Sequence, residues 1–154
     1  MPDVNSLLSM GRVDRHLVWE ALCDFERYPQ FMQDVLEVVV ERRCAQEIIS
    51  HWRVLLNGSE LSWTERDVLT DDHRIVFEQT DGDLEIWTGQ WQLLDDGPDG
   101  SLRVELNVTF DLGIPSLADV LHPIGERAIR ANSKQMLEGI RSRVLAAVAA
   151  GDAT

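Results

Sequence analysis

The run LEIWTGQWQLLDDGPDGSLRVELNVTFDL, residues 84–112, reads as two β-strands joined by a turn. Its second half alternates without a break. Leu102, Val104, Leu106, Val108, Phe110 and Leu112 fall on one face, and Arg103, Glu105, Asn107, Thr109 and Asp111 on the other. Period two with a single apolar face is the pattern of a strand buried on one side and wet on the other. The connector Asp95-Asp96-Gly97-Pro98-Asp99-Gly100 is turn chemistry and too short for a crossover helix. Strands over 84–94 and 102–112 are therefore expected to be antiparallel neighbours.

The same logic places strands over 36–44, 48–57, 61–69 and 75–79, separated by Asn57-Gly58, Thr70-Asp71-Asp72 and Asp81-Gly82. A further strand is expected over 5–10. Asp14 stands as an N-cap ahead of Leu17, Val18, Ala21 and Leu22, an apolar face at helical spacing, so a first helix should run to about Asp24. Pro29 disfavours helix at Tyr28, and a second short helical turn should start there and carry Phe31 and Met32. After Pro115 the chain turns helical, with Pro123 expected to split off a short turn from a long C-terminal helix. That helix has an apolar stripe of Ile129, Met136, Ile140 and Val144 and a basic one of Arg127, Arg130, Lys134 and Arg141.

The chain of 154 residues, expected to fold as one domain over 1–154, is large enough for one real core. Cys23 and Cys44 give neither a metal spacing nor a disulfide framework, and the N-terminus lacks a signal-peptide pattern. A cytoplasmic location is the expectation. No run approaches the roughly 20 apolar residues of a membrane span. The net charge of −13 argues against nucleic acid or an anionic bilayer. A small-molecule or protein partner is left, with a monomer or homodimer as the expected assembly.

One long helix laid across a wide twisted sheet leaves a pocket between them, lined by apolar and aromatic side chains. Five tryptophans sharpen that expectation: Trp19 on the first helix, and Trp52, Trp63, Trp87 and Trp91 on strands. Alternation puts Trp87, Gly89, Trp91 and Leu93 on the inner face, with Gly89 leaving room for a ligand between two indoles. Core packing alone also accounts for such residues. The stretch CDFERYPQFM, residues 23–32, would close the pocket's end with Tyr28 and Phe31 as its wall.

The order of elements, with VWEALCDFERYPQFMQDV, LSWTERDVL, DGDLEIWTGQWQL and FDLGIP, resembles the polyketide cyclase/dehydrase and Coq10-like branch of the START-type helix-grip superfamily. The resemblance spans about residues 6–144. It implies an α+β fold in which an antiparallel sheet of about seven strands wraps a long C-terminal helix, with two short helices after the first strand. Single-domain aromatase/cyclases are the nearest functional relatives by this reading. They imply a pocket for a poly-β-ketone chain delivered on an acyl carrier protein, and no cofactor. Aldol closure and loss of water need a proton removed between carbonyls, an enolate oxygen stabilised, and an acid for the leaving hydroxyl.

Carried over residue by residue, the resemblance implies Tyr28 at the pocket wall, Trp91 lining the cavity, and Asn132 of Arg130-Ala131-Asn132 facing the pocket from the long helix. The SWTER strand leaves two alternatives that strand parity keeps apart unless there is a bulge. Either Ser62, Thr64 and Arg66 point inward, or Trp63 and Glu65 do. An inward Arg66 would anchor a carbonyl or enolate oxygen, with Ser62 as a hydrogen-bonding guide. An inward Glu65 would have its carboxyl raised by desolvation and serve as acid or base. Both residues could instead decorate a solvated strand. Trp63, Trp87 and Met136 complete the expected substrate-binding set.

Val35 and Phe77 replace a second aromatic hydroxyl and a second arginine of the cyclase pattern, so a more apolar pocket is expected. His16, His51, His73 and His122 lack metal-ligand spacing, and Ser62 sits in no nucleophile motif. The basic stripe Arg127, Arg130, Lys134 and Arg141 is a docking surface for an acidic acyl carrier protein or an ordinary solvated face. A non-catalytic carrier of a polyprenyl quinone or lipid is the alternative function, and a regulatory interaction module a third.

Overall fold

The structure, a computed structural model, describes residues 3–56, 58–111 and 118–151, with side chains from Pro123 onward in the last segment. Asn57, Leu112, Pro115 and the His122 side chain lie outside the described residues. The strands are Asp3–Gly11 (β1), Val35–Arg43 (β2), Glu47–Leu56 (β3), Ser59–Leu69 (β4), Arg74–Gly82 (β5), Ile86–Asp95 (β6) and Leu102–Asp111 (β7). Among the described residues they form one antiparallel sheet in the order β1-β7-β6-β5-β4-β3-β2. Only β1 arrives out of chain order, pairing with β7, because two short helices carry the chain from one edge of the sheet to the other.

Those helices are Arg15–Cys23 (α1) and Tyr28–Phe31 (α2), separated by a single 3-10 turn over Phe25–Arg27; the long helix is Ala118–Ala149 (α3). Asp14 caps α1, its side chain accepting from the His16 N–H at 2.8 Å. This is the α+β helix-grip arrangement, with α3 held in the concave face of the sheet. The inward sets of β6 and β7 are buried as alternation requires: Trp87, Trp91 and Leu93, then Leu102, Val104, Leu106, Val108 and Phe110.

Residues 23–32 form a plug. Phe25, Tyr28 and Met32 are buried, each burial worth about 1.5–3 kcal/mol. Phe25 and Tyr28 pack their rings against Trp52, with centroids 5.5 Å apart in both pairs. The Tyr28 hydroxyl donates to the Leu22 carbonyl at 2.6 Å, closing the plug on α1. Gly139 lets α3 approach it, since a Cβ there would stand 2.7 Å from both the Phe31 carbonyl oxygen and Met32 Cγ.

Three expectations are corrected. Pro123 does not split the last helix, which runs through it. It lies close to the helix start, where a missing N–H removes few intrahelical bonds, and its ring is exposed. Strand β5 continues past 79 to Gly82 and β6 begins at Ile86, so the turn falls over 83–85 rather than at Asp81-Gly82. The cause is an extra residue on β5: Thr64 pairs with Asp81 but Glu65 with Gln79, leaving Thr80 as a bulge. Gly82, at φ +156, lies against Trp63, and a Cβ there would meet Trp63 Cβ at 2.4 Å. Finally, Gly89 leaves no room for a ligand. A Cβ on it would stand 2.0 Å from the Asn107 carbonyl oxygen and 2.8 Å from Phe77 Cζ, so strand β7 and the Phe77 ring already occupy that space.

Candidate functional site

Between the sheet and α3 lies a chamber lined by Trp52, Val54, Trp63, Glu65, Phe77, Trp87, Trp91, Leu106, Val108, Asn132, Ser133 and Met136. With its mouth the cleft encloses about 400 Å³, but the space that admits a water molecule is about 30 Å³, room for very few waters. The walls are aromatic and mutually braced. Trp52 and Trp63 stack at 6.1 Å with planes 4° apart, Trp63 and Trp87 lie 5.0 Å apart, and Phe77 stands 6.2 Å from Trp87.

Strand β4 supplies the ionisable groups. The bulge sits on β5, so β4 keeps strict alternation, and Trp63, Glu65 and Asp67 all point inward. Glu65 is 4% exposed and Asp67 0%. The Trp63 indole N–H donates to Glu65 Oε1 at 2.7 Å. The Ser50 hydroxyl donates to Asp67 Oδ2 at 2.7 Å and accepts from the Trp52 indole N–H at 2.8 Å. Both indoles are thus amphipathic wall elements, Trp52 hydrogen-bonded to Ser50 behind the wall and Trp63 to Glu65 within it.

Burial pushes the Glu65 carboxyl well above the ordinary carboxylate range, and the Asp67 charge beside it pushes further; the Trp63 hydrogen bond works against both. Asp67 is also raised by burial, but hydrogen bonds from Glu65 and Ser50 and the charge of Arg43 hold it down. Glu65 is therefore the member that keeps its proton. From the opposite wall Asn132, 6% exposed, faces the chamber, and its buried Nδ2 has no hydrogen-bond partner. An unsatisfied buried donor costs about 1–3 kcal/mol, which a ligand acceptor would recover. A protonated carboxyl and a free amide donor in an aromatic chamber suit a neutral, apolar molecule with carbonyl or hydroxyl oxygens.

Of the residues expected at the site, the structure brings Glu65, Trp63, Trp87, Trp91, Asn132 and Met136 together around this chamber. Ser62 and Arg66 are corrected. Both are exposed on the outer face of β4, because parity sends them opposite to Glu65. The Ser62 N–H donates to Asp83 Oδ2 at 2.8 Å, and Arg66 Nε donates to Glu47 Oε2 at 2.9 Å. Tyr28 stands behind the wall, its ring 6.1 Å from Trp91, with its hydroxyl already spent on Leu22. Phe31 does not line the chamber because α2 turns it toward the protein's surface, where it is half-buried.

Phe77 lines the chamber, and Val35 is buried outside it. Asp67, Ser50 and Ser133 escaped sequence reading, and Trp52, noted among the strand tryptophans, was not placed in the substrate-binding set. For Asp67 a signal existed: it continues the period-two set begun by Trp63 and Glu65.

The basic stripe of Arg127, Arg130, Lys134 and Arg141 is exposed, with Arg130 3.4 Å from Glu126. The Cys23 thiol is pushed up to about 12, chiefly by burial, which makes it a poor nucleophile. Among the described residues no group of three His, Cys, Asp or Glu side chains could hold a metal ion, and no helix is long and apolar enough to cross a membrane.

Residues 12–137 match the family described as polyketide cyclase / dehydrase and lipid transport. Among solved structures the chain is similar to TTHA0849 from Thermus thermophilus, at 26% identity and TM-score 0.86, covering 95% of this chain and 99% of that one. It is similar to the Zhui aromatase/cyclase from a Streptomyces species at 17% identity and TM-score 0.83, covering 99% of each. The di-domain ARO/CYC StfQ from the steffimycin biosynthetic pathway aligns at 20% identity and TM-score 0.70, over 96% of this chain and 52% of that one. No curated protein sequence matches.

Proposed function

The chain belongs to the polyketide cyclase/dehydrase and lipid transport family, and from that premise we propose that it closes a ring in, or removes water from, a carrier-bound β-keto chain held in the chamber. The observation that carries this reading is Glu65, a buried carboxyl raised by burial and lining an aromatic chamber opposite the free Asn132 amide. A simple lipid carrier has no need of a buried acid, whose desolvation costs stability.

In this reading Asn132 Nδ2 donates to a substrate carbonyl and stabilises the oxygen as enolate character develops. Loss of water from a β-hydroxy ketone uses one carboxyl twice. The Glu65 O–H gives its proton to the departing hydroxyl as the C–O bond breaks. The Cα–H bonding pair becomes the new C=C bond, and the Cα proton passes to Glu65, which has just become a carboxylate. Water leaves and Glu65 is restored. Trp63, Trp87 and Trp91 shape the chain and exclude bulk water.

A chain of several ketide units exceeds the resting chamber, so binding has to part Met136 on α3 from the aromatic wall. The stripe of Arg127, Arg130, Lys134 and Arg141 offers an acidic carrier protein complementary charge on an otherwise acidic chain. The test is mass spectrometry of the protein incubated with a carrier-bound or short thioester-bound β-ketone. Loss of water or a ring-closed product, abolished in Glu65→Gln, supports the reading. A stoichiometric lipid or quinone that co-purifies and stays unchanged, with no turnover of the β-ketone, overturns it in favour of a carrier.

A further inference from the structure

Asp67 does not line the chamber, yet it is buried on the same face of β4 as Glu65. Nothing in a sheet core calls for a second carboxylate there. Its Oδ2 is held by Ser50, itself held by Trp52, so the side chain is fixed from behind. Its Oδ1 is buried and has no hydrogen-bond partner, and the Glu65 carboxyl lies two residues away on the same buried face of β4. Two buried carboxyl groups so placed resist ionising together; one proton between them would satisfy the orphaned oxygen and remove the repulsion.

We propose that Asp67 is a positioning residue for Glu65: its Oδ1 accepts the Glu65 proton, and the two groups form a buried pair that holds a single proton. Ser50 and Trp52 keep Asp67 the acceptor, and Trp63 orients Glu65 from its other oxygen. The charged and titratable groups around the pair come from every neighbouring element. Arg43 on β2 faces Asp67; Tyr28 on α2 faces both carboxyls and is in turn influenced by Cys23 on α1 and Arg143 on α3. Arg43 favours ionisation of Asp67 and opposes uptake of a second proton by the pair. Tyr28 stays a neutral phenol because burial raises it.

For chemistry, the inference rests on the dehydration reading and adds a driving force to it. Once the Glu65 O–H has turned from Asp67 to a departing hydroxyl and protonated it, two adjacent buried anions remain, and this state is relieved by taking the Cα proton from the substrate. Asp67 thereby makes the second half of the step follow the first, without touching the substrate.

The location of the proton can be tested without any substrate, which separates this inference from the proposed function. The measurement is infrared difference spectroscopy of the unligated protein, following the C=O stretch of protonated carboxyl groups against pH. Near neutral pH a protonated-carboxyl band is expected in the wild type and is lost in Glu65→Gln. In Asp67→Asn the Glu65 band titrates at least about one pH unit lower, because the neighbouring charge is gone. Asp67→Ser, smaller and also neutral, gives the same reading should the asparagine variant not fold. A wild-type band that survives in Glu65→Gln, no band near neutral pH, or an unmoved titration in the Asp67 variants overturns the proposal. If the spectra follow expectation but no β-ketone is ever turned over, the proton-sharing pair stands and the function assigned to it falls.

Discussion

Glu65 and Arg66 are joined by one peptide bond and live in different solvents. The inner face of β4 presents Trp63, Glu65 and Asp67 to an aromatic chamber, where a carboxyl keeps its proton and each hydrogen bond matters. The outer face presents Ser62, Thr64 and Arg66 to water, where Arg66 makes an exposed ion pair with Glu47. Neighbouring ionisable groups therefore meet opposite consequences. Inside, desolvation makes an ionisable group costly and chemically useful; outside, water screens it until it contributes little.

The contrast is broken most directly at Glu65. Glu65→Gln keeps the shape and both hydrogen-bonding ends, so it should fold while lowering product formation from a thioester-bound β-ketone by about 10²-fold or more. Single-turnover product analysis checks this. The same variant should gain stability. A carboxyl raised in the folded state favours folding fully below its unfolded value of 4.5 and loses that contribution as the pH climbs through the folded value. Glu65→Gln should therefore overtake the wild type in urea unfolding as the pH rises above 4.5, and a gap that closed with rising pH would contradict the assignment.

Next in size is a change with no charge at all. Gly89→Ala on the inner face of β6 drives a methyl into the Asn107 carbonyl and Phe77, and should cost about 2–3 kcal/mol by denaturant unfolding. Asn132→Leu probes the chamber from the other wall. Removing an unsatisfied buried donor should raise stability by about 1 kcal/mol while depressing turnover, a trade expected only where the donor awaits a ligand. The smallest effect belongs to the outer face. Arg66→Ala should change stability by less than about 1 kcal/mol and leave product formation unaltered. A large loss of activity there would mean that the outer face takes part in the chemistry after all.

Much of the architecture was legible because it is local. The alternation over 102–112 predicts β7 and its buried face, and Asp14 predicts the start of α1. The site was less legible for a physical reason visible at β4. SWTER alternates two equally plausible polar sets, and parity is settled by which residues meet α3 and the neighbouring strands, not by the strand's own composition. Thr80 shows how fine the decision is. The extra residue lies on β5, where it spares the parity of β4; on β4 it would have exchanged Glu65 for Arg66. Gly89 failed as a gap because an absent side chain leaves space only if no neighbour fills it, and Phe77 does.

Periodicity, caps and turn residues in the chain determine the strands, the helices and the antiparallel sheet, since these follow from contacts a few residues apart. Only tertiary packing decides that Glu65 and Asp67 are buried side by side, that Asn132 faces Glu65 with a free donor, and that the chamber between is narrow. Desolvation and side-chain encounter depend on atoms remote in sequence, and no local pattern encodes how closely they approach.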